Sequence, residues 1–382
     1  MAINTQRYVG QAPDAALDRL PVLDLRVLDE PDGGERFRRD LLAATRDVGF
    51  FYLVGHGVDR ARQQRLLAAA RDFFALPEAE KRSIENLNSP HFRGWTRLGG
   101  ELTQGRQDWR EQIDIGTERA AVPASADAPW NVLEGPNQWP PSLPQFRTII
   151  EEWTATLRGV GLTLARQWAL ALGQPEDTFD AAFAQRPSTL VKVVHYPARP
   201  AETVGTRDDA EPRHQAGAGH DAGAGHDADQ GHDAEPGQGV GAHKDSGFLT
   251  LLFVEPGKGG LQVEHDGAWL DAPPLDDAFI VNIGELLEVA TDGLLKSTVH
   301  RVVSPPPGQD RVSVPFFFNP ALDARIPRLS LPPELAAQAT GVTQDAANVL
   351  HDTYGANALK SRLRAHPDVA ARHHPELVAT PA

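Results

Sequence analysis

The apolar positions of this chain change period along its length. Near the start, LPVLDL is a short apolar run that predicts a first strand. Residues 35–47 carry Phe37, Leu41, Leu42 and Ala44 at helical spacing, and Gly49 ends that stretch. FFYLVG predicts a second strand. Residues 59–76 set Leu66, Leu67, Ala70, Phe73 and Phe74 on one side of a helix, with Asp59 as N-cap and Pro77 as stop. Residues 84–144 keep no steady period and are rich in Pro, Gly and Trp, so they read as irregular. A long helix follows over 143–172. Its stripe is Ile149, Ile150, Trp153, Leu157, Val160, Leu164 and Trp168, and Gly173 and Pro175 close it. From 188 to 318 the pattern is mostly strands broken by Gly and Pro turns, and a late helix is expected over 346–363.

Helices first and strands after predict a mainly β fold with flanking α, a sandwich or jelly roll rather than alternating α/β. The pattern divides into an N-terminal region (1–140), a long helix with the first core strand (141–201), an insertion (202–240), a β core (241–325) and a C-terminal helical segment with a tail (326–382). The insertion holds GHDAGAGHDADQGHDA, with His220, His226 and His232 at a regular spacing and almost nothing apolar. Such a segment cannot offset its ordering entropy, so disorder is the plain expectation. The sharper one is a loop that captures metal for a nearby site.

Composition narrows the classes. Of 382 residues, 41% are hydrophobic and 23% charged, as in ordinary globular proteins. The net charge of −15 argues against nucleic-acid or anionic-membrane binding. With no cysteine, disulfides, thiolate metal sites and cysteine nucleophiles are excluded. The N-terminal stretch lacks the apolar core of a signal peptide, and no apolar run approaches a membrane span. A cytoplasmic monomer is expected.

Candidate chemistry concentrates between residues 243 and 313. His243-Lys244-Asp245 opens GAHKDSGFLTLLFV, read as one strand on which His243 and Asp245 share a face. His300 lies in the β-branched run KSTVHRVV. Two imidazoles and one carboxylate suit a mononuclear non-haem Fe(II) that keeps open positions. Arg311 and Ser313 repeat the two-residue spacing on RVSVPFFF and suit a small carboxylate. A second His-x-Asp, His366-Pro367-Asp368, lies in a polar tail and reads as a solvated terminus.

These stretches resemble the isopenicillin N synthase-like branch of the Fe(II)/2-oxoglutarate-dependent dioxygenases. RDVGFFYLVGHGVD is similar to the family's N-terminal region. GAHKDSGFLTLLF, GGLQV, FIVNIGELLEVATDGLLKSTVHRVV and RVSVPFFFNP are similar to its catalytic core. The resemblance implies a double-stranded β-helix. It also implies Fe(II) held by His243, Asp245 and His300, and 2-oxoglutarate held by Arg311 and Ser313 with the hydroxyl of Tyr196. Val194 stands where many members carry Asn. The implied reaction consumes O2 and 2-oxoglutarate, releases succinate and CO2, and hydroxylates, desaturates or cyclises a small, carboxylate-bearing substrate.

Residues 91–114 mix Arg93, Arg97, Arg106 and Arg110 with Trp95 and Trp109 in an otherwise acidic chain. They are either a lid that binds a carboxylate-bearing, amino-acid-like substrate through Arg93 and Arg110, or a solvated loop paired with Glu101, Asp108 and Glu111. By alternation one of Phe316, Phe317 and Phe318 faces the pocket, and Phe316 is the candidate. Other readings stay open. They are a synthase-type oxidase without 2-oxoglutarate, ethylene-forming fragmentation of 2-oxoglutarate, and a non-catalytic metal-binding barrel. The absence of a glutamine in the closing ELVATPA argues against the synthase.

Overall fold

The computed structural model describes residues 19–199, 237–342 and 348–378. The first six strands and four helices alternate irregularly. They are β1 (Val22–Asp24), α1 (Gly33–Asp47), β2 (Phe50–Val54), α2 (Arg60–Phe74), α3 (Glu78–Ser83), β3 (Gly94–Thr96), β4 (Leu102–Thr103), β5 (Arg106–Gln107), β6 (Glu111–Gly116) and α4 (Pro144–Ala171). Then come α5 (Asp180–Ala184), β7 (Leu190–Tyr196), β8 (Gln238–His243), β9 (Leu249–Val254), β10 (Leu261–His265), β11 (Ala268–Asp271) and β12 (Phe279–Ile283). After α6 (Glu285–Ala290), β13 (His300–Val303) and β14 (Arg311–Phe318), the chain ends in α7 (Pro333–Ala336), α8 (Tyr354–Ala365), α9 (Pro367–His373) and α10 (Pro375–Val378). Among the described residues no helix is long and apolar enough to cross a membrane.

Two sheets form the sandwich. The larger runs β1-β2-β12-β9-β14-β7-β6-β3 and the smaller β11-β10-β13-β8. Each strand of the larger sheet sends alternate residues to opposite faces. On β14, Val312, Val314, Phe316 and Phe318 enter a core shared with α1, α2 and α4. Arg311, Ser313, Pro315 and Phe317 face the other way, into a cavity. A second apolar cluster, with Val194, Val240, Val254, Leu261, Val263 and Val302, fills the space between the sheets. The fold is thus the expected jelly roll flanked by helices.

The long helix forms where its stripe predicts. Trp153, Leu157, Leu164 and Trp168 are fully buried on one side of α4, and Pro144 sits at its start, where a missing N–H costs nothing. Gly161 lets the helix settle on the sheet, because a Cβ there would lie 2.8 Å from the ring of Phe318. Asp59 caps α2 by accepting a hydrogen bond from the Arg62 N–H at 2.7 Å.

Four expectations change. Residues 84–144 are not wholly irregular, since β6 is a full strand between β3 and β7. Its alternation is hidden because both faces are buried. Ile113 and Ile115 enter the helix-side core, while Gln112 and Asp114 are buried on the opposite face. The run GAHKDSGFLTLLFV is two strands, because the chain crosses from the smaller sheet to the larger between β8 and β9. The last helix begins at Tyr354, not near 346; positions 346 and 347 lie outside the described residues. His366 is no solvated terminus: it is 1% exposed, between α8 and α9.

Most of the insertion also lies outside the described residues, His220, His226 and His232 included, although its expected end at 240 overlaps β8. Truncating Trp168 to Ala removes a large ring from the contact between α4 and the sheet and is expected to cost about 3–5 kcal/mol. Equilibrium denaturation would register this as a lowered midpoint with an unchanged slope.

Candidate metal centre

The three ligand candidates meet where the two sheets come together at one end. His243 is the last residue of β8 and pairs directly with His300, the first of β13. Their rings lie 4.3 Å apart, centre to centre. Asp245 reaches them from the crossing segment, not from the same strand face as His243. Its Oδ1 is 3.7 Å from Nε2 of His243 and 3.8 Å from Nε2 of His300. The three donor atoms all lie within 4.8 Å of one another, the one such His/Asp/Glu group among the described residues.

Each imidazole is held in one orientation. Nδ1 of His243 bonds the Gly241 carbonyl at 2.8 Å, and Nδ1 of His300 bonds the Thr298 carbonyl at 3.1 Å. A carbonyl can only accept, so each Nδ1 carries a proton and each Nε2 is the ring nitrogen turned to the centre. Burial, aided by His243, lowers the His300 pKa to about 4, so this ring is neutral at physiological pH. Burial also opposes ionisation of Asp245. His300, His243 and hydrogen bonds from Asn282 and Thr250 outweigh it and hold the carboxyl below its usual range. Oδ2 of Asp245 accepts those bonds, from Thr250 Oγ1 at 2.6 Å and Asn282 Nδ2 at 2.8 Å, which leaves Oδ1 for a metal.

The crossing segment is fixed by close packing. The Asp245 carbonyl accepts the Glu285 N–H at 2.8 Å, at the start of α6. A Cβ on Gly284 would lie 2.1 Å from the Gly247 carbonyl oxygen, so only glycine fits there.

The cavity that contains the triad measures about 910 Å³. Arg311 and Ser313 line it from β14, and both are almost wholly buried. Nε and Nη1 of Arg311 are buried without an acceptor. Such orphaned guanidinium donors are costly unless an anion meets them, and a carboxylate fits that geometry. Tyr196 pairs with Arg311 across β7 and β14, and the guanidinium lies 4.8 Å from the centre of its ring. The ring is therefore a stacking partner that fixes the guanidinium.

The substrate candidates separate. Phe316 is fully buried in the helix-side core, because alternation from Arg311 sends even positions there; Phe317 is the ring that lines the cavity. Arg93 does not line the cavity. It is buried, and its Nη2 donates to the Leu133 carbonyl at 2.9 Å. Arg110 does line it, and is paired with Asp108 at 3.0 Å and Glu101 at 3.2 Å. Of the loop partners expected, Glu101 and Asp108 thus engage Arg110, but buried rather than in solvent; Glu111 instead meets Lys81 and His195.

Thr250, Asn282, Lys192 and Arg362 also line the cavity and were not singled out from sequence. The alternation of β7, which puts Lys192 on the same face as Tyr196, was the available signal for Lys192.

Asn282 to Ala removes one of the two bonds that orient Asp245 and is expected to weaken Fe(II) binding about 10–100-fold. Anaerobic competition with a chromogenic chelator would measure it, and unchanged affinity would remove Asn282 from the site.

His366 gives a second test. Burial lowers its pKa to about 4, against the opposing pull of Glu101. An unfolded imidazole takes its proton near pH 6.5, so between about 6.5 and 4 the unfolded chain binds more protons. Stability therefore falls as pH drops through that window. The apoprotein carrying His366→Gln should lose less of its denaturation midpoint over this range than the unaltered chain.

Known proteins resemble this chain in sequence and in fold. Residues 20–142 match the N-terminal region of non-haem dioxygenases described from morphine synthesis. Residues 226–320 match the 2OG-Fe(II) oxygenase superfamily. The 2-oxoglutarate-dependent dioxygenase frbJ of Dothideomycetidae sp. is 33% identical over 95% of both chains. A homoarginine-6-hydroxylase of Arabidopsis thaliana is 31% identical over 82% of this chain and 88% of its own.

The same fold is seen in a full-length Neurospora crassa protein solved in complex with alpha-KG. It has a TM-score of 0.67 at 22% identity and covers 89% of this chain and 95% of its own. The rice dioxygenase for auxin oxidation gives a TM-score of 0.59 at 24% identity, over 90% of this chain and 95% of its own. The long match to curated dioxygenases, together with the matched core that contains His243, Asp245 and His300, means that the chain belongs to the 2OG-Fe(II) oxygenase superfamily.

Proposed function

We propose that His243, Asp245 and His300 hold the Fe(II) of this iron- and 2-oxoglutarate-dependent oxidoreductase, and that Arg311 and Ser313 hold the far carboxylate of 2-oxoglutarate. The observation that carries the second assignment is the pair of unpartnered, buried donors on Arg311, which lines the same cavity as the triad. Iron and keto acid together supply O2 activation, with release of succinate and CO2, to oxidise a small substrate.

The chain's own residues do the rest. The Gly241 and Thr298 carbonyls each accept from Nδ1 of an imidazole and so hold both Nε2 atoms toward the centre. Thr250 and Asn282 hold Asp245 in one rotamer. Tyr196, stacked on Arg311, limits the guanidinium to one plane and would so orient it toward a carboxylate. Val194 and Leu252 close the wall beside Ser313 with apolar surface, which excludes water around the ion pair.

The substrate is a small, carboxylate-bearing molecule that undergoes hydroxylation, desaturation or ring closure. The cavity supports this, since its volume exceeds what a five-carbon keto diacid fills and its remaining wall is rich in cations. The proposal extends to a cytoplasmic monomer, for which the cysteine-free, acidic composition is the supporting feature.

Arg311→Ala separates the two cofactor assignments. Fe(II) affinity should stay within about twofold. The 2-oxoglutarate concentration for half-saturation should rise at least tenfold, the loss of one charge-assisted pair. Anaerobic optical titration with Fe(II) and then 2-oxoglutarate reads both. An unchanged 2-oxoglutarate midpoint would reassign Arg311 to the primary substrate.

A further inference from the structure

Beside the iron site, one wall of the cavity carries more buried charge than the chemistry above uses. Lys192 from β7 bonds both oxygens of Glu101, at 2.8 and 3.0 Å, and lies 3.4 Å from Asp114. Arg110 pairs with Glu101 and Asp108, and Arg362 from α8 pairs with Asp114. All six side chains are at least nine-tenths buried or nearly so, and Asp108 and Asp114 are wholly enclosed.

Only part of this network faces the cavity. Glu101, Arg110, Lys192 and Arg362 line it, whereas Asp108 and Asp114 stand behind them and do not. The exposed wall therefore presents three cations and one carboxylate, with exposed Arg364 adding a fourth cation at the rim. Arg110 is 8% exposed and its Nε has no acceptor. Lys192 and Arg362 are paired with Glu101 and Asp114, and Nε of Arg110 is the buried donor of this wall that is left to meet an incoming anion. A buried ionic network is poor value for stability alone, because desolvation cancels much of the pairing. Its position bears on function. Lys192 lies opposite Asp114 on β6 and one alternate position, about 7 Å, from Leu190, which pairs with Phe317 and through it with Thr250 beside Asp245.

We infer that this wall is the head-group site for the primary substrate, and that the substrate is a free α-amino acid. Its carboxylate meets Arg362 and Lys192, and its ammonium meets Glu101. The side chain then runs past Leu190 and Phe317 toward the iron. The inference rests on the proposed function, since it needs the triad and the Arg311 anchor to be occupied as described. A zwitterion is the ligand that fits, because it adds one charge of each sign to a wall that already pairs both. A dicarboxylate would leave Glu101 facing a second anion. The wall is also built from four separate parts, the segment before β4, the residue before β6, β7 and α8.

The test is a ligand series on the full chain loaded with Mn(II) and 2-oxoglutarate under anaerobic conditions. The probes are the proteinogenic L-amino acids with ornithine and homoarginine, each as the free form, the Nα-acetyl derivative and the methyl ester. Binding is read by thermal shift and by equilibrium dialysis. At least one free amino acid should bind, and both blocked forms should bind at least tenfold more weakly. In Glu101→Gln the preference for the free form over the Nα-acetyl form should fall to within about twofold, while 2-oxoglutarate binding is kept.

If that variant does not fold, the series on the unaltered chain still decides. Equal binding of free and acetylated forms, or no binding by any probe while 2-oxoglutarate still binds, overturns the inference. A Glu101→Gln chain that loses 2-oxoglutarate affinity and keeps its free-over-acetyl preference also overturns it, by assigning the wall to the keto acid. Failure of 2-oxoglutarate to bind the unaltered chain would strike the underlying reading instead.

Discussion

The site depends on one buried charge. Asp245 sits where the chain leaves the smaller sheet for the larger, and its carboxylate is ionised inside the protein. An isolated buried carboxylate is costly, and it persists only where hydrogen bonds and opposite charge surround it. Thr250 and Asn282 supply the bonds from adjacent positions on β9 and β12, which face each other in the ladder. His243 and His300 stand on the other side, with Nε2 atoms 3.7 and 3.8 Å from Oδ1 of Asp245. A carboxylate and two imidazoles gathered in this way are a donor set that suits a divalent ion.

That constraint reaches back into the fold. Thr250 and Asn282 can only meet Asp245 if β9 and β12 lie side by side with their polar residues on the cavity face. The register fixes this by pairing Asn282 with Thr250 and sending Leu251 and Val281 into the helix-side core. The helices that bury those apolar residues thus hold the ligand shell in place at a distance. Gly284 and Gly247 do the same at close range, since their missing side chains let the crossing segment pack on α6 and Asn319. Packing, polar contacts and glycine placement all converge on the same few backbone atoms.

Sequence legibility followed the kind of signal each part carries. The apolar stripe of α4 and the even spacing of β14 were readable, because one face of each is buried in hydrocarbon and the pattern is local. That His243, Asp245 and His300 form one group was readable too, from their types and their order along the chain. The strand break between His243 and Leu249 was not. It arises from the crossing between sheets, and glycine flanked by polar residues reads equally well as strand or turn. β6 was missed for a different reason: Gln112 and Asp114 look solvent-facing, yet they are buried against the charged network. The choice of Phe316 over Phe317 failed at one residue of phase, which alternation resolves once Arg311 is known to face the cavity.

His366 shows where local pattern reading fails and where the missing information lies. Its surroundings in sequence are polar, which argues for solvent. In the fold it packs against Phe92, accepts at Nδ1 from Asn86 Nδ2 at 3.3 Å, and approaches Glu101 at 3.8 Å. Those partners lie more than two hundred residues earlier in the chain. Burial of a polar residue is decided by such distant partners, so composition near it carries little weight. The same holds for the cavity wall as a whole. Glu101, Lys192 and Arg362 come from three separate stretches, and each alone reads as a surface charge. Their convergence on one wall of the cavity that holds His243, Asp245 and His300 is a property of the fold and is written in no single stretch.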